Sequence, residues 1–226
     1  MKYLKAVPIL TVFTLLFFIS CKKETELAVD MGYKYFPVNT GHWVTYDVDS
    51  ISYNDFTGLV DSFTFQIREE VESVFTDNEG RETQRLERYK RWSDTAAWFL
   101  KDVWIMNLTA TTAEKVEENM RIIKLIFPPK DNEKWDGNLY NTMDKQSYTY
   151  KDVHSAYLLN NITFDSTLTV IQKEEYTLIS EKFEKEVYAA HIGLIFKKYV
   201  ELTKEPTGVI KKGIDYSYTL NSYGNY

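Results

Sequence analysis

Ile214-Asp215-Tyr216-Ser217-Tyr218-Thr219-Leu220 places an apolar or aromatic side chain at every second position. A period of two marks a strand with one packed face and one wet face. The same alternation recurs along the chain. Val44, Tyr46 and Val48 alternate with Thr45, Asp47 and Asp49. Phe63, Phe65, Ile67 and Val71 share one face, with Thr64, Gln66, Arg68 and Glu72 on the other. Trp98, Leu100, Trp104, Met106 and Leu108 make an apolar face that Asp102 interrupts. Phe164, Leu168 and Val170 alternate with Asp165, Thr167 and Thr169. Ile192, Leu194, Phe196, Val200 and Leu202 line a further face, with Lys198 as its exception. Met120 to Phe127 is apolar on both faces, which predicts a central strand.

Turn residues separate these runs. Asp77-Asn78-Glu79-Gly80 joins the second strand to an Arg-rich third one at about residues 81–92. Pro128-Pro129 stops the run before it, and Asp136-Gly137-Asn138 makes a tight turn. Thr111 to Asn119 reads as one helical turn or a polar hairpin loop. Residues 174–189 fit either period: Tyr176, Ile179, Phe183 and Val187 are spaced for a helix, while Thr177, Ile179, Glu181 and Phe183 suit a strand. Strands on both flanks favour the strand. One-sided strands in sequence predict a mainly β fold: an antiparallel meander of about 8–10 strands curled into a barrel or half-open barrel, with at most one or two short helices.

Composition narrows the function classes. The chain has 226 residues, with 27 basic and 33 acidic side chains and a formal charge of −6. The first 20 residues hold two lysines and no acids, so without them the formal charge is −8. That balance argues against nucleic acid, whose phosphates need clustered Lys and Arg. The chain has one cysteine, so its fold has no disulfide and must rely on its core.

That cysteine decides the expected destination. Lys2 and Lys5 precede Val7 to Ile19, an apolar run of 13 residues. This is the length of a signal-peptide core and short of the roughly 20 residues that span a bilayer. Phe18-Ile19-Ser20-Cys21 resembles a lipobox, in which a small residue precedes the modified cysteine. The reading is a signal peptide over 1–20, a lipidated Cys21 with a charged tether over 21–32, and a single β-rich domain over 33–226. Two or three acyl chains, at about 0.8 kcal/mol per buried methylene, hold a protein on a membrane almost permanently. The expected partner is therefore a membrane reached through the lipid. The expected location is the cell envelope, on the outer membrane, at its periplasmic face or the cell surface.

Three short motifs resemble a broad group of uncharacterised Bacteroidota-type lipoproteins. They are Tyr35-Phe36-Pro37 followed by Gly41-His42-Trp43-Val44-Thr45-Tyr46, Phe127-Pro128 followed by Trp135-Asp136-Gly137-Asn138, and Glu186-Val187-Tyr188-Ala189 followed by Gly193-Leu194-Ile195. The resemblance implies a mostly β domain in the envelope and supplies no catalytic residues.

No catalytic motif stands in the sequence. His42, His154 and His191 are in no zinc-binding arrangement, so no metal and no cofactor is expected. Asp131-Asn132-Glu133 with Asp136-Gly137 lacks the spacing of a calcium loop. Arg81, Arg85, Arg88, Lys90 and Arg91 form the densest basic cluster, read as a strand balanced by nearby Glu or as a patch for anionic lipid or glycan. Trp43, Trp135 and Tyr188 are the candidate ligand-contact residues. Trp43 shares the Asp47/Asp49 face, Trp135 sits beside the Asp-Gly turn, and Tyr188 lies in the third motif. Three functions remain open: a non-catalytic envelope lipoprotein binding an apolar or glycan ligand or a partner protein; a glycan-active hydrolase with paired carboxylates; and a structural component of an envelope complex.

Overall fold

The computed structural model describes residues 29–226, and its compact body runs over Met31–Tyr226. The expected signal peptide, the lipidation at Cys21 and most of the tether lie outside the described residues. Within the body, a 3-10 turn at Tyr33–Tyr35 leads into twelve strands. They are β1 (Trp43–Tyr53), β2 (Val60–Thr76), β3 (Glu82–Arg91), β4 (Phe99–Leu108), β5 (Thr112–Glu117), β6 (Met120–Ile126), β7 (Lys134–Asp136), β8 (Ser147–Leu159), β9 (Ile162–Tyr176), β10 (Ser180–Ala189), β11 (Gly193–Lys204) and β12 (Ile210–Gly224).

All twelve join one antiparallel sheet in the order β6-β5-β4-β3-β2-β1-β12-β11-β10-β9-β8-β7. The sheet curls into a nearly closed barrel, as the one-sided strands require. Each strand is hydrogen-bonded to its sequence neighbour except at one step, β6 to β7, and β1 is joined to β12 instead. The break falls at Pro128-Pro129, residues that cannot donate to a ladder.

Two expectations need correction. Met120–Ile126 is an edge strand, not a central one. It is apolar on both faces because its edge is also covered, by the opposite edge of the sheet. The Ile123 amide donates to the Gly137 carbonyl at 2.9 Å. Trp135 Nε1 donates to the Ile123 carbonyl at 3.0 Å. The Tyr150 hydroxyl accepts from the Ile126 amide at 2.8 Å and donates to its carbonyl at 2.7 Å. Asn141 Nδ2 donates to the Arg121 carbonyl at 2.9 Å. Side chains thus satisfy backbone groups that a further strand would otherwise pair. Second, Thr112–Glu117 is a strand, β5, rather than a loop or helical turn. Thr109, whose hydroxyl accepts from the Thr111 and Thr112 amides at 3.2 and 2.9 Å, turns the chain before it. Residues 174–189 resolve into the end of β9, a turn at 177–179 and β10.

The largest apolar cluster gathers Val71, Leu86, Met106, Leu125, Tyr150, Leu168 and Tyr188 with Tyr35 and Phe36. The Tyr35 hydroxyl lies 2.6 Å from His154 Nδ1 and 2.8 Å from Ser166 Oγ, tying the 3-10 turn to β8 and β9. Further along, Val44, Tyr46, Val48 and Ile67 form a second cluster.

Among the glycines the closest approach is at Gly213, which has φ +129° and faces Leu202 across the β11–β12 pair. A Cβ there would sit 2.0 Å from the Glu201 carbonyl oxygen. Gly213→Ala is expected to destabilise the barrel by about 1–3 kcal/mol, from strain and overpacking together. Gly208→Ala, at φ +91° in open space, isolates the strain alone. Equal melting temperatures for the two variants would contradict the close approach.

Candidate functional site: a charged lumen in the barrel

Inward faces are set by the ladder registers. Val44 lies opposite Glu69, Glu69 opposite Arg88, and Arg88 opposite Asp102. Lys197 lies between Glu186 and Tyr218 on its two neighbours. Charged residues therefore occupy positions in phase with the apolar core, and they meet inside the barrel.

The charges form two linked groups. In the first, Glu69 accepts from Arg88 Nε at 3.0 Å and from Lys115 Nζ at 2.9 Å. Arg88 reaches Asp102 at 2.8 Å, and its guanidinium lies 3.6 Å from the Trp104 ring centroid. In the second, Lys124 Nζ contacts Glu186 at 2.7 Å and Glu117 at 3.5 Å. Lys197 Nζ stands 3.6 Å from the same Glu186 oxygen, and the Tyr188 hydroxyl donates to the other at 2.6 Å. Glu69, Arg88, Lys115, Lys124 and Glu186 are all buried.

Their protonation follows from this pairing. Burial pushes the Glu69 carboxyl up, but Lys115 and Arg88 overcome that and hold it at about 2. Burial opposes ionisation of Glu186 as well, and Lys124 and Lys197 bring it down to about 2. Glu117 is lowered against its own burial by Lys124, Lys197 and Lys115. Burial works against the Lys197 ammonium, yet Glu186 and other neighbours raise it well above the usual lysine range. All these groups are ionised at neutral pH.

Between the two groups lies a cavity of about 260 Å³, lined also by Trp104, Tyr216 and Tyr218. Lys101 and Glu118, both exposed, stand at its rim and open it to solvent. Next to it, sharing Glu69 and Lys115, is an apolar void of about 40 Å³ beside Phe36, Leu86, Met106 and Tyr188. That void is far below the size of a small-ligand site, about 300–1,000 Å³. The polar cavity approaches that range.

The three candidate ligand residues lie in different settings. Trp43 packs under the Arg68 guanidinium at 4.5 Å, with Gly224 close to its ring. Trp135 is packed 4.5 Å from Tyr150 with its N–H committed to the seam. Tyr188 is buried beside the lumen, bonded to Glu186. Trp135 and Tyr188 share the main core cluster; Trp43 is not in it. Four of the five residues of the basic cluster are in ion pairs, and Lys90 lies over the Phe65 and Trp92 rings at 3.7 and 3.8 Å. Arg88 points into the lumen, Arg85 pairs with Glu87 at 2.8 Å, Arg81 with Asp77 at 2.8 Å, and Arg91 with Asp94 at 2.9 Å. Among the described residues no group of histidine, cysteine and carboxylates is placed to hold a metal.

Asp102 is legible in the sequence as a break in an apolar face; Glu69 is in phase with Phe65, Ile67 and Val71 and is the equivalent break in β2. The sequence pattern singles out Lys198, whereas the inward lysine is Lys197. A register shift between Val187 and Tyr188, which face Phe196 and Leu194, changes the phase of β11 at that point. Lys198 instead pairs with Asp215.

No family model matches the chain, and no curated protein matches it. Two solved structures are similar in chain course. One is an exported protein with a YmcC-like fold from Bacteroides fragilis NCTC 9343, at TM-score 0.44 and 10% identity, covering 84% of this chain and 98% of that one. The other is described as a lipoprotein, from Parabacteroides distasonis ATCC 8503, at TM-score 0.41 and 10% identity, again over 84% and 98%. At these scores the likeness is one of chain course alone.

Proposed function

We propose that this chain is a non-catalytic lipoprotein, anchored to the cell envelope through lipid on Cys21, whose barrel binds a small and very polar ligand. The observation that supports it is the charged cavity of about 260 Å³. An isolated buried charge is costly, and an interior built only for stability is more cheaply filled with apolar side chains. A lumen that keeps ionised groups beside open space is suited to a hydrophilic guest. An apolar ligand is disfavoured, because the apolar void of about 40 Å³ has no room for an acyl chain. Glycan hydrolysis is disfavoured too. It needs one carboxyl kept protonated near neutral pH; in the cavity Glu69, Glu117 and Glu186 are all held below the ordinary range, and Glu184, which burial raises, does not line it.

The test has two arms on the full chain. In cells fed labelled palmitate, the parent is expected to take up label and partition with membranes, and Cys21→Ser to lose both. In calorimetry on the detergent-held protein, small polar metabolites are expected to give saturable heats and palmitate none. Binding of palmitate alone would overturn the ligand reading. A protein co-purifying at fixed stoichiometry, with no small-molecule heats, would replace it with an assembly role.

A further inference from the structure

The lumen has a charge pattern that selects among polar guests, a selection that rests on the binding role proposed for the barrel. The cavity and its first ionic contacts contain five cations, Arg88, Lys101, Lys115, Lys124 and Lys197, and five anions, Glu69, Asp102, Glu117, Glu118 and Glu186. The site is neutral as a whole. A guest with net charge would enter uncompensated, at a cost that rises in a confined, low-dielectric space.

Satisfaction of these charges is uneven. Glu69, Arg88, Lys115, Lys124 and Glu186 each make at least one charge-assisted hydrogen bond. The second group is a row of alternating sign, Glu117, Lys124, Glu186 and Lys197, linked by contacts of 3.5, 2.7 and 3.6 Å. Its two ends are the incomplete members. Among the described residues Lys197 has no ionic partner nearer than 3.6 Å, and the Glu186 oxygen it faces is already taken by Lys124. Glu117, among the same residues, has only the 3.5 Å contact to Lys124. Both border the cavity, as does Tyr216, whose ring lies 6.0 Å from Lys197 Nζ.

We propose that the lumen binds a small zwitterion, an amino acid or dipeptide, with its carboxylate on Lys197 and its ammonium on Glu117. Such a guest keeps the site neutral and completes both ends of the row with charge-assisted hydrogen bonds. The three contacts set an upper bound on the separation of those ends, and at about 3.3–3.6 Å per residue an amino acid or dipeptide has a length of that order. A neutral sugar also preserves neutrality but leaves an ammonium and a carboxylate with only hydroxyl partners. A singly charged guest completes one end and unbalances the whole.

The test uses the full lipidated chain in detergent and four probes in calorimetry. These are alanyl-alanine, its carboxyl amide (cation only), N-acetyl-alanyl-alanine (anion only) and glucose. Alanyl-alanine is expected to bind and the other three to bind at least about tenfold more weakly. Lys197→Met should weaken alanyl-alanine by about tenfold or more and strengthen the amide over its parent value, since the lumen is then one charge negative. Glu117→Gln should weaken alanyl-alanine and strengthen the N-acetyl probe. These crossed gains cannot come from misfolding. Glucose binding without alanyl-alanine binding would overturn the zwitterion and leave the polar-ligand role standing. Palmitate binding with no heat from any of the four probes would overturn both.

Discussion

Lys124→Met is expected to lower the free energy of unfolding by about 3–5 kcal/mol, measured by urea denaturation. The lysine is buried and serves two carboxylates, Glu186 at 2.7 Å and Glu117 at 3.5 Å. Methionine fills nearly the same volume, so packing is kept while the compensating charge is lost. Glu186 would then rely on Lys197 at 3.6 Å and the Tyr188 hydroxyl. The control is Lys198→Met on the same barrel. Lys198 pairs with Asp215 at a partly exposed site, where an ion pair contributes about 0–1 kcal/mol. A double variant, Lys124→Met with Glu186→Gln, should recover part of the loss, because no buried carboxylate is then left without its cation. If Lys124→Met and Lys198→Met unfold at the same urea concentration, the buried charges are not a coupled lattice.

Acid should undo the same lattice. Glu69 and Glu186 each lie at about 2 in the folded barrel, against an ordinary glutamate value of 4.5. A carboxyl whose folded value is depressed stabilises the fold fully above its unfolded value, and that contribution fades as pH falls towards the folded one. The window is therefore pH 5 down to 2. Each group is expected to lose on the order of 3 kcal/mol across it, at about 1.4 kcal/mol per unit. Glu117 and Asp77 are held low as well and add to the loss, while Glu184, which burial raises, offsets part of it. Urea titrations at pH 7, 5, 3.5 and 2.5 would show a midpoint that holds to about pH 5 and then drops. In Glu186→Gln the drop should be measurably shallower. A flat profile would mean that these carboxylates are not ionised partners in the fold.

Fold class was readable because alternation depends on the strand alone. The segments that misled are those whose surroundings decide their reading. Met120–Ile126 has the two-faced apolar pattern of an interior strand, and Trp135, Tyr150 and Asn141 from the far edge supply the cover. No local signal in 120–126 says whether that cover is a strand or a row of side chains. Thr112–Glu117 looks like a loop because it is polar: Thr112, Glu114 and Lys115 are nevertheless buried, each with a charged or hydroxyl partner from a non-adjacent position. The lumen was half-legible for a related reason. An acid in phase with an apolar face, as at Glu69 and Asp102, is visible once that phase is trusted. Lys197 is hidden by the register shift opposite Val187 and Tyr188, since a single extra residue moves every later side chain to the other face.

The pairing of β1 with β12 also constrains the order of events in the cell. Trp43 to Tyr53 gains its second neighbour only when Ile210–Gly224 has been made. A sheet joined through such a distant pair has a high contact order and folds slowly. Until then the nascent polypeptide has an open, unzipped middle and nothing that locks it. Closure is therefore the last step of assembly, and a chain lacking Ile210–Gly224 would keep β1 and β11 as two bare edges.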